Sequence, residues 1–369
     1  MTSIKRLAAC IFICALLTAN MFASGEGTVN ASFNDKSYAW TSEMVYMTHW
    51  YLLEQEELLW KPIRFDLYGI SRKNGNVELL LKNIEAGEAQ LYAACSNLYI
   101  TQWTWESREH GYLLDLDYYV YCHSDCKITQ YSIETNEILD TYSFQMDEQV
   151  MDIAVYCGKT YVVTTESIYR LDGETPVALY TFDVERTNQY YRHTIIEDNV
   201  LYFQEDNTIC SLNLVTNEVK RIINYHPIET LPYEQWNKLE NVARNTYDYI
   251  VKDGILYYYD AITGTTKAFD TRTGEEFEAS DEGYHFAVFT DDIIKANTVA
   301  VETSEGEIEY TSVSHMLRIN ENGKLESYSD WDEWTNRSIQ HVPIGSGEYL
   351  IIEYGYEETM PNHMDIMKY

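Results

Sequence analysis

Short runs of apolar and aromatic residues, separated by polar turns, recur along most of the chain. Residues 253–276 show the unit: an aromatic strand, a polar loop, a second strand, and a tight turn at Thr273 and Gly274. Residues 199–218 and 159–173 repeat this order. The apolar positions alternate or run continuously over short stretches, without the 3.6-residue period of a helix. The pattern predicts an all-β protein built from repeated hairpins.

Six tight turns mark the repeat. Each contains Gly or Asn, the residues that tolerate the positive φ that a tight hairpin needs. The intervals between them are typical of one four-stranded propeller blade with variable loops. We assign each turn to the hairpin between the third and fourth strands of a blade. The turns are Asn74–Gly75, Thr135–Asn136, Asp172–Gly173, Thr216–Asn217, Thr273–Gly274 and Asn322–Gly323.

A seventh unit begins near Ile339 and ends, at residues 364–369, with a third strand but no fourth. Residues 28–33, at the start of the mature chain, are the candidate for the missing strand. Closure by such a strand leaves only short, protected sheet edges. We therefore predict a seven-bladed β-propeller with four-stranded blades, closed by an N-terminal strand that completes the last blade. Six blades are the alternative, and an open β-solenoid is the third reading.

The order of strand, polar loop, strand and Thr-Gly turn in residues 254–276 resembles that of exported bacterial propellers of the YWTD-like and quinoprotein-like types. The resemblance extends over nearly the whole mature chain and implies architecture only. The YWTD tetrapeptide, the kelch double glycine and the sialidase Asp-box are absent, and only Trp331 and Asp332 match the WD40 signature. No active site follows from the resemblance, because a fold does not define a function.

The first residues have the composition of an export signal. A basic start at Lys5 and Arg6 precedes an uncharged apolar run, and small residues follow at 23–25. The apolar run is shorter than the ~20 residues of a membrane-spanning helix. We therefore predict a signal peptide at residues 1–25 and a single propeller domain at residues 26–369. The mature protein is expected to be secreted, extracellular or part of the cell envelope, with no membrane insertion after signal removal.

The chain is strongly acidic. Its 59 Asp and Glu residues against 26 Lys and Arg give a formal net charge of −33. Phosphate contacts require clustered Lys and Arg, so we predict no nucleic-acid partner. Such charge favours solubility outside the cell and also attracts cations or a basic partner. With 45% hydrophobic residues the chain can form a core, so its acidity does not indicate disorder.

Five cysteines follow the signal, and an odd number leaves at least one thiol unpaired. Cys122 and Cys126 flank a short polar sequence, where a turn would allow a disulfide to clip a hairpin in an oxidising compartment. We take this pair as the disulfide candidate. A metal site that adds His123 is the rival, but it lacks a second ligand pair at zinc-like spacing, and we predict no metal site. The others, predicted to be buried in strands, are Cys95, Cys157 and Cys210.

In a four-stranded blade, the turns between strands one and two and between strands three and four share one face of the ring. The loops between strands two and three, and those from blade to blade, share the other, which we call the loop face. Its long segments carry aromatic residues with His and Arg, a mixture that stacks on sugars or clamps a peptide. Packing between blades is the alternative reading of these aromatic residues, since the chain has 33 tyrosines. The candidate ligand-binding residues are Tyr190, Tyr191, Arg192, His193, His226, Trp236, His285, Trp331, Trp334, Arg337, His341 and His110, the last in an insertion predicted from about Trp103 to Tyr121.

The sequence does not assign catalytic residues. It lacks the Gly-x-Ser-x-Gly and His-Glu-x-x-His motifs and a Gly-rich phosphate loop, which excludes the common enzymes that carry them. We predict a secreted or cell-surface binding or scaffold propeller that recognises a glycan or protein. The alternative is a carbohydrate-active enzyme, either a glycoside hydrolase or a polysaccharide lyase. No cofactor is predicted. Asp330, Asp332 and Glu333 are the calcium candidates, although a solvated acidic loop is the favoured reading.

Overall fold

The computed structural model describes most of the chain after residue 37, and every regular element in the described part is a β-strand. The described residues are 38–40, 43–51, 63–86, 88–94, 97–110, 119–173, 175–183, 194–227, 248–290, 293–304, 307–331, 339–344, 348–354 and 361–368.

Twenty-seven strands form seven antiparallel sheets, six of four strands and one of three. The first blade contains β1 (Tyr38–Trp40), β2 (Met44–Tyr51), β3 (Ile63–Ser71) and β4 (Val77–Ala86). The second contains β5 (Glu88–Ala94), β6 (Asn97–His110), β7 (Tyr119–Ser132) and β8 (Glu137–Met146). The third contains β9 (Val150–Tyr156), β10 (Lys159–Thr164), β11 (Ser167–Asp172) and β12 (Thr175–Thr181). The fourth contains β13 (Ile195–Glu197), β14 (Val200–Glu205), β15 (Thr208–Asn213) and β16 (Val219–Asn224).

The fifth blade contains β17 (Tyr249–Lys252), β18 (Ile255–Asp260), β19 (Thr265–Asp270) and β20 (Glu276–Ser280). The sixth contains β21 (His285–Phe289), β22 (Ile294–Ser304), β23 (Glu307–Ile319) and β24 (Leu325–Trp331). The last sheet contains β25 (Ile339–Pro343), β26 (Glu348–Tyr354) and β27 (Pro361–Lys368).

Each sheet is a meander whose strands pair in chain order. In the third, fourth and fifth blades the fourth strand is the least buried. First strands of successive sheets lie beside one another, as β1 lies beside β5 and β17 beside β21, so they surround the centre of the ring. In the third blade β10 is buried at all but its first residue, whereas most of β12 is exposed. Inner strands are covered on both faces by neighbouring blades, and outer strands are not. This radial gradient is the packing expected of a propeller.

The last sheet packs between the sixth blade and the first, so the sheets form a ring. Val342 and Leu350 share one buried cluster with Val45 and Ile70 of the first blade and with Ala287 of the sixth. All five side chains are at most 4% exposed. The contact is therefore part of the core and not a surface contact between separate units.

An ion pair joins the same two sheets. Arg72 Nε donates a hydrogen bond of 2.8 Å to Glu348 Oε2, and the two side chains are only 9% and 12% exposed. Arg72 follows β3 and Glu348 begins β26, so the pair links residues far apart in the chain. Because both charges are largely removed from water, their pairing offsets part of the free-energy cost of burying them.

The predicted all-β propeller with four-stranded antiparallel blades is confirmed, but the preferred count of seven blades is not. Six blades are complete, the number we gave as the alternative, and the last sheet has the three strands that its sequence indicated. Residues 28–33, the predicted fourth strand, lie outside the described residues. Closure of the ring by that strand therefore stays a prediction.

All six predicted tight turns join the third and fourth strands of a blade, as expected. Each has one residue with positive φ, which explains why Gly or Asn stands there. These residues are Gly75, Asn136, Gly173, Asn217, Gly274 and Gly323.

The predicted insertion in the second blade is mostly regular strand. β6 and β7 pair continuously from Asn97 opposite Ser132 to His110 opposite Tyr119. Only residues 111–118 between them lie outside the described part of the chain. The hairpin extends beyond the rest of the blade, because β5 stops pairing at Trp103 and β8 stops pairing at Ser124.

The predicted disulfide is wrong. Cys122 and Cys126 do not flank a turn but lie in the same strand, where they are opposite Ser107 and Trp103 of β6. Four residues of extended strand span about 13 Å, whereas disulfide-bonded Cα atoms are less than ~7 Å apart. Cys126 is a free, buried thiol. The pairing of β6 with β7 overrides the turn propensity of the short polar sequence between the two cysteines.

Two of the remaining cysteines are described. Cys210 is fully buried in β15, as predicted. Cys157 is exposed, with a φ of 49°, in the turn between β9 and β10, so the prediction that it is buried is wrong. The Gly158 that follows it also has positive φ, and this pair makes the tight turn that an apolar context alone did not predict. Cys95 lies outside the described residues.

Candidate binding site on the loop face

The described part of the loop face includes some of the predicted ligand-binding residues. His226, His285 and His341 are described with their side chains, and His341 lies half-buried in β25. For His110 and Trp331 only the backbone is described, at the ends of β6 and β24. The others lie outside the described residues: Tyr190, Tyr191, Arg192, His193, Trp236, Trp334 and Arg337.

His226 contacts a buried carboxylate at the end of β18. Its Nδ1 lies 3.4 Å from Asp260 Oδ2, and Lys267 Nζ donates to the same oxygen at 3.1 Å. Asp260 Oδ1 accepts backbone N–H bonds from Ile262 and Thr263, at 3.1 and 3.2 Å, and so fixes the turn between β18 and β19. Both carboxylate oxygens are therefore engaged within the protein, and the group stabilises the loop face.

The environment of Asp260 lowers the pKa of its carboxyl group. Burial alone would raise this pKa, but hydrogen bonds from Lys267, Thr263 and His226 outweigh burial and lower it. A carboxyl with a lowered folded-state pKa contributes stability above its unfolded pKa of about 4, and that contribution is lost as pH falls through the lower folded value.

Asp260→Asn is expected to destabilise the fold by about 1–2 kcal/mol at pH 7, since charge-assisted hydrogen bonds are lost. The difference from the wild type should shrink as pH falls below about 4. Urea unfolding at pH 7, 5 and 3 measures it. Asp206→Asn is the control, because Asp206 is an exposed carboxylate in the corresponding turn of the fourth blade. A difference for Asp260→Asn that stays constant with pH would contradict the assignment.

His285 lies near the same end of β18 as His226, but on the opposite side of the fifth blade. It is 1% exposed, its Nδ1 is 3.6 Å from Asp248 Oδ1, and its ring centroid is 4.3 Å from that of Tyr259. Burial first, and the nearby Asp248 and Asp260 second, raise the pKa of Tyr259 to about 12. The phenol is therefore neutral at ordinary pH. Because Tyr259 and Asp260 are consecutive, the structure brings His226 and His285 to one end of β18 from opposite sides.

A cleft of about 580 Å³ lies at the loop-face end of the second blade. Its lining comes from three adjacent strands in register: Gln102, Lys127 and Ser143 form one row, and Thr104, Asp125 and Gln145 form the next. These rows lie on one side of the sheet, because alternate residues of a strand point to the same face. Trp103, Cys126 and Phe144 alternate with them and pack into the interface with the third blade.

The cleft contains amide, hydroxyl, carboxylate and ammonium groups. Gln145 Nε2 donates to Asp125 Oδ1 at 2.7 Å, and His123 Nε2 lies 3.6 Å from the same oxygen. The other ring nitrogen of His123 is 3.5 Å from Asp147. Lys127 is exposed beside them, so an ammonium and a carboxylate lie two residues apart on one strand. Such a set both donates to and accepts from a ligand that is rich in hydroxyl or amide groups.

Sequence reasoning did not select the cleft residues or the partners of the two histidines. Residues 102–104 were placed at the edge of an insertion, so their position in a three-strand row was not predicted. The sequence has many charged residues, and neighbouring residues give no reason to select Asp260, Asp248 or Lys267 among them. The Asp-Ala-Ile-Thr-Gly sequence after β18 is a signal for a side-chain-capped turn, and it could have identified Asp260.

In the described ranges, no group of three or more His, Cys, Asp or Glu residues is placed to hold a metal ion. Asp332 and Glu333 of the calcium candidate lie outside those ranges. Nor does the described part of the chain contain a helix long and apolar enough to cross a membrane.

The fold is that of a β-propeller, and the cleft is a concavity with polar groups on its second blade. No family model and no curated protein matches the sequence. Among solved structures, a chain in a crystal structure of the Mitotic Checkpoint Complex has a TM-score of 0.53 at 10% identity, covering 93% of this chain and 92% of that one. This likeness supports the propeller fold and nothing further.

Two other solved structures are less similar. Hsv2 of Kluyveromyces lactis has a TM-score of 0.42 at 10% identity, covering 81% of this chain and 95% of that one. BamB of Moraxella catarrhalis has a TM-score of 0.40 at 11% identity, covering 87% and 94%. We base no argument on either.

Proposed function

We propose that this chain is an exported, non-catalytic binding or scaffold propeller that recognises a glycan or protein through its loop face. The observation that carries the proposal is the cleft of about 580 Å³ on the second blade, with amide, hydroxyl, carboxylate and ammonium groups on three adjacent strands. A rigid sheet holds these groups in fixed rows, which reduces the entropy lost when a ligand binds. The signal-like first 25 residues support export.

The described histidine–carboxylate pairs bear on the choice between binding and catalysis. His285 is 1% exposed, so a substrate in the cleft or channel cannot reach its ring without rearrangement, and we assign it a structural role. The Asp260 carboxylate beside His226 is 5% exposed and holds both oxygens in hydrogen bonds to Lys267 and the turn, so it does not itself accept a substrate proton. A general base needs a free lone pair within reach of the substrate proton. The accessible rings of His226 and His123 are the candidates for that role, and the enzymatic alternative rests on these two histidines.

The same proposal includes a seventh blade completed by residues 28–33. β27 is the outermost of only three strands, and its outer edge is where the equivalent sheets carry a fourth. An uncovered strand edge at that position would be open to pairing with other chains. Residues 28–33 precede β1 by a few residues, so they are near the ring junction in sequence.

The test of the binding function uses the mature chain on glycan and peptide arrays, followed by titration of the best array ligand. A double variant, Asp125→Ala with Lys127→Ala, removes one carboxylate and one ammonium from the cleft. Its matched control is Glu218→Ala with Lys220→Ala, which removes an exposed pair of the same charges, also two residues apart, from the opposite face. We expect the cleft variant to bind roughly tenfold or more weakly, and the control within about twofold of wild type. Equal binding by all three proteins, or no array ligand for the wild type, would contradict the proposal.

A further inference from the structure

On the loop face, β6 and β22 extend farthest beyond the first strands of their blades. β6 pairs with β5 only as far as Trp103 but continues to His110. β22 pairs with β21 only as far as Asn297 but continues to Ser304. Other second strands extend less: β2 continues from Met47 to Tyr51, β14 from Tyr202 to Glu205 and β18 from Tyr258 to Asp260, whereas β10 does not extend. The second and sixth blades therefore each carry a two-stranded ribbon above the ring.

The inner edge of the β22 ribbon has no strand beside it in the described chain. The residues before β21 do not continue along β22, because they are bonded to the fifth blade. Thr266 donates to Glu282 O from its backbone nitrogen and hydroxyl, at 3.0 and 2.7 Å, and Tyr284 N donates to Thr266 Oγ1 at 2.8 Å. Among the described residues, no strand therefore pairs with the edge from Thr298 to Ser304 on the side of the central channel. Its seven residues span roughly 23 Å.

The register fixes which backbone groups face this open edge. Thr290 N donates to Ile293 O at 2.8 Å, so the backbone groups of Ile293 face β21. Backbone groups of every second residue in a strand point to the same side, and β22 pairs with β23 without a register shift from Ile294 to Ser304. The backbone N–H and C=O groups of Val299, Val301 and Thr303 are therefore directed away from β23. They form a regular row of donors and acceptors that pair with no described strand.

The ribbon is also negatively charged. Glu302 stands directly opposite Glu309, a cross-strand pair of like charges that destabilises an isolated ribbon. Glu307 adds a third carboxylate, and no Lys or Arg occurs from Thr298 to Val313. A free two-stranded ribbon is only marginally stable in water. A third strand that carries positive charge would supply both the missing ladder and the missing counter-charge.

We propose that the inner edge of β22, from Thr298 to Ser304, binds an extended, basic polypeptide segment of another protein by strand addition. Backbone hydrogen bonds to the outward-directed groups give the affinity, and the glutamates select the charge. A second copy of this chain is disfavoured as the occupant, since two chains of net charge −33 repel. The site is separate from the cleft of the second blade. A test of this proposal is therefore independent of the binding function proposed for the cleft.

The experiment measures, by fluorescence anisotropy, how tightly the mature chain binds a labelled peptide. The peptide has nine residues of alternating lysine and valine, with acetylated and amidated ends. Val301→Pro removes an outward N–H without breaking the bonds between β22 and β23. Val301→Ala keeps that N–H and is its control. We expect about tenfold weaker binding for Val301→Pro and for a peptide N-methylated at alternate residues, and near wild-type binding for Val301→Ala.

Glu302→Gln with Glu309→Gln tests the charge and does not depend on the proline variant folding. We expect this pair to weaken the lysine peptide several-fold and to reduce its salt dependence. Glu218→Gln with Glu275→Gln, on the opposite face, is the matched control and should have little effect. Equal effects of the two charge variants would show non-specific attraction and overturn the proposal. A dimer in light scattering that Val301→Pro dissociates would assign the edge to a second copy and would overturn it too.

Discussion

Arg72→Met is expected to lower the free energy of unfolding by about 3 kcal/mol, because it removes the positive charge beside the largely buried carboxylate of Glu348. The arginine Nε lies 2.8 Å from the carboxylate oxygen, and both side chains are almost covered where the first blade meets the last sheet. Chemical denaturation followed by tryptophan fluorescence measures the loss. A second probe, far-UV circular dichroism, should give the same midpoint if the ring unfolds as one unit.

Arg272→Met is the matched control for this prediction. Arg272 pairs with Asp270 at 3.0 Å, but its side chain is 63% exposed and its partner is two residues away in the same turn. Exposed pairs contribute little, so we expect a loss below about 1 kcal/mol. Adding Glu348→Leu to Arg72→Met should recover part of the stability, since the buried carboxylate is then removed as well. Equal losses for the two arginine variants would show that the junction is not buried in solution.

Leu350→Ala is expected to cost about 3 kcal/mol or more, through lost burial and the cavity left behind. Leu350 is fully buried in β26, within the cluster that joins the last sheet to the first blade. The same unfolding experiment measures the change. Val215→Ala is the control, because Val215 is 73% exposed in a turn of the fourth blade, and its truncation should change stability by less than about 0.5 kcal/mol. If Leu350→Ala behaved like the control, the last sheet would not be part of the cooperative core.

The turn positions and the order of strands could be predicted from sequence because their causes are local. Gly75, Asn136 and Gly274 adopt positive φ within hairpins, and the residue types reveal this without any tertiary contact. The three strands of the last sheet were recognised for the same reason. The number of complete blades could not be read in this way, because it depends on which segment pairs with the outer edge of β27.

The disulfide prediction was wrong, and the predicted second-blade insertion is strand and not loop, for a common reason. The sequence around His123 has the residues of a turn, and the residues after Trp103 look like a loop. In the structure each stretch is held extended by the other, in the continuous pairing of β6 with β7. Local propensity for a turn is weak compared with a long ladder of backbone hydrogen bonds, so tertiary pairing decides.

The candidate site was predicted only in outline. His226 was selected from a long connection between blades and His285 from the opening of the sixth blade, and in the structure His226 is accessible whereas His285 is buried at the start of β21. Their partners, Asp260 and Asp248, follow from how neighbouring blades pack, and that packing has no signature in the sequence. The cleft depends on the register of three strands, because a shift of one residue would turn Gln102 and Asp125 to the opposite side of the sheet.

The decrease in burial from inner to outer strands has a consequence for divergence. Residues of β12 or β16 make few core contacts, so substitutions there change stability little and accumulate freely. The inner strands constrain only size and apolar character, which many sequences satisfy. Very different sequences can therefore encode the same propeller architecture. A solved chain that shares 10% of its residues with this one and aligns over 93% of it has this fold.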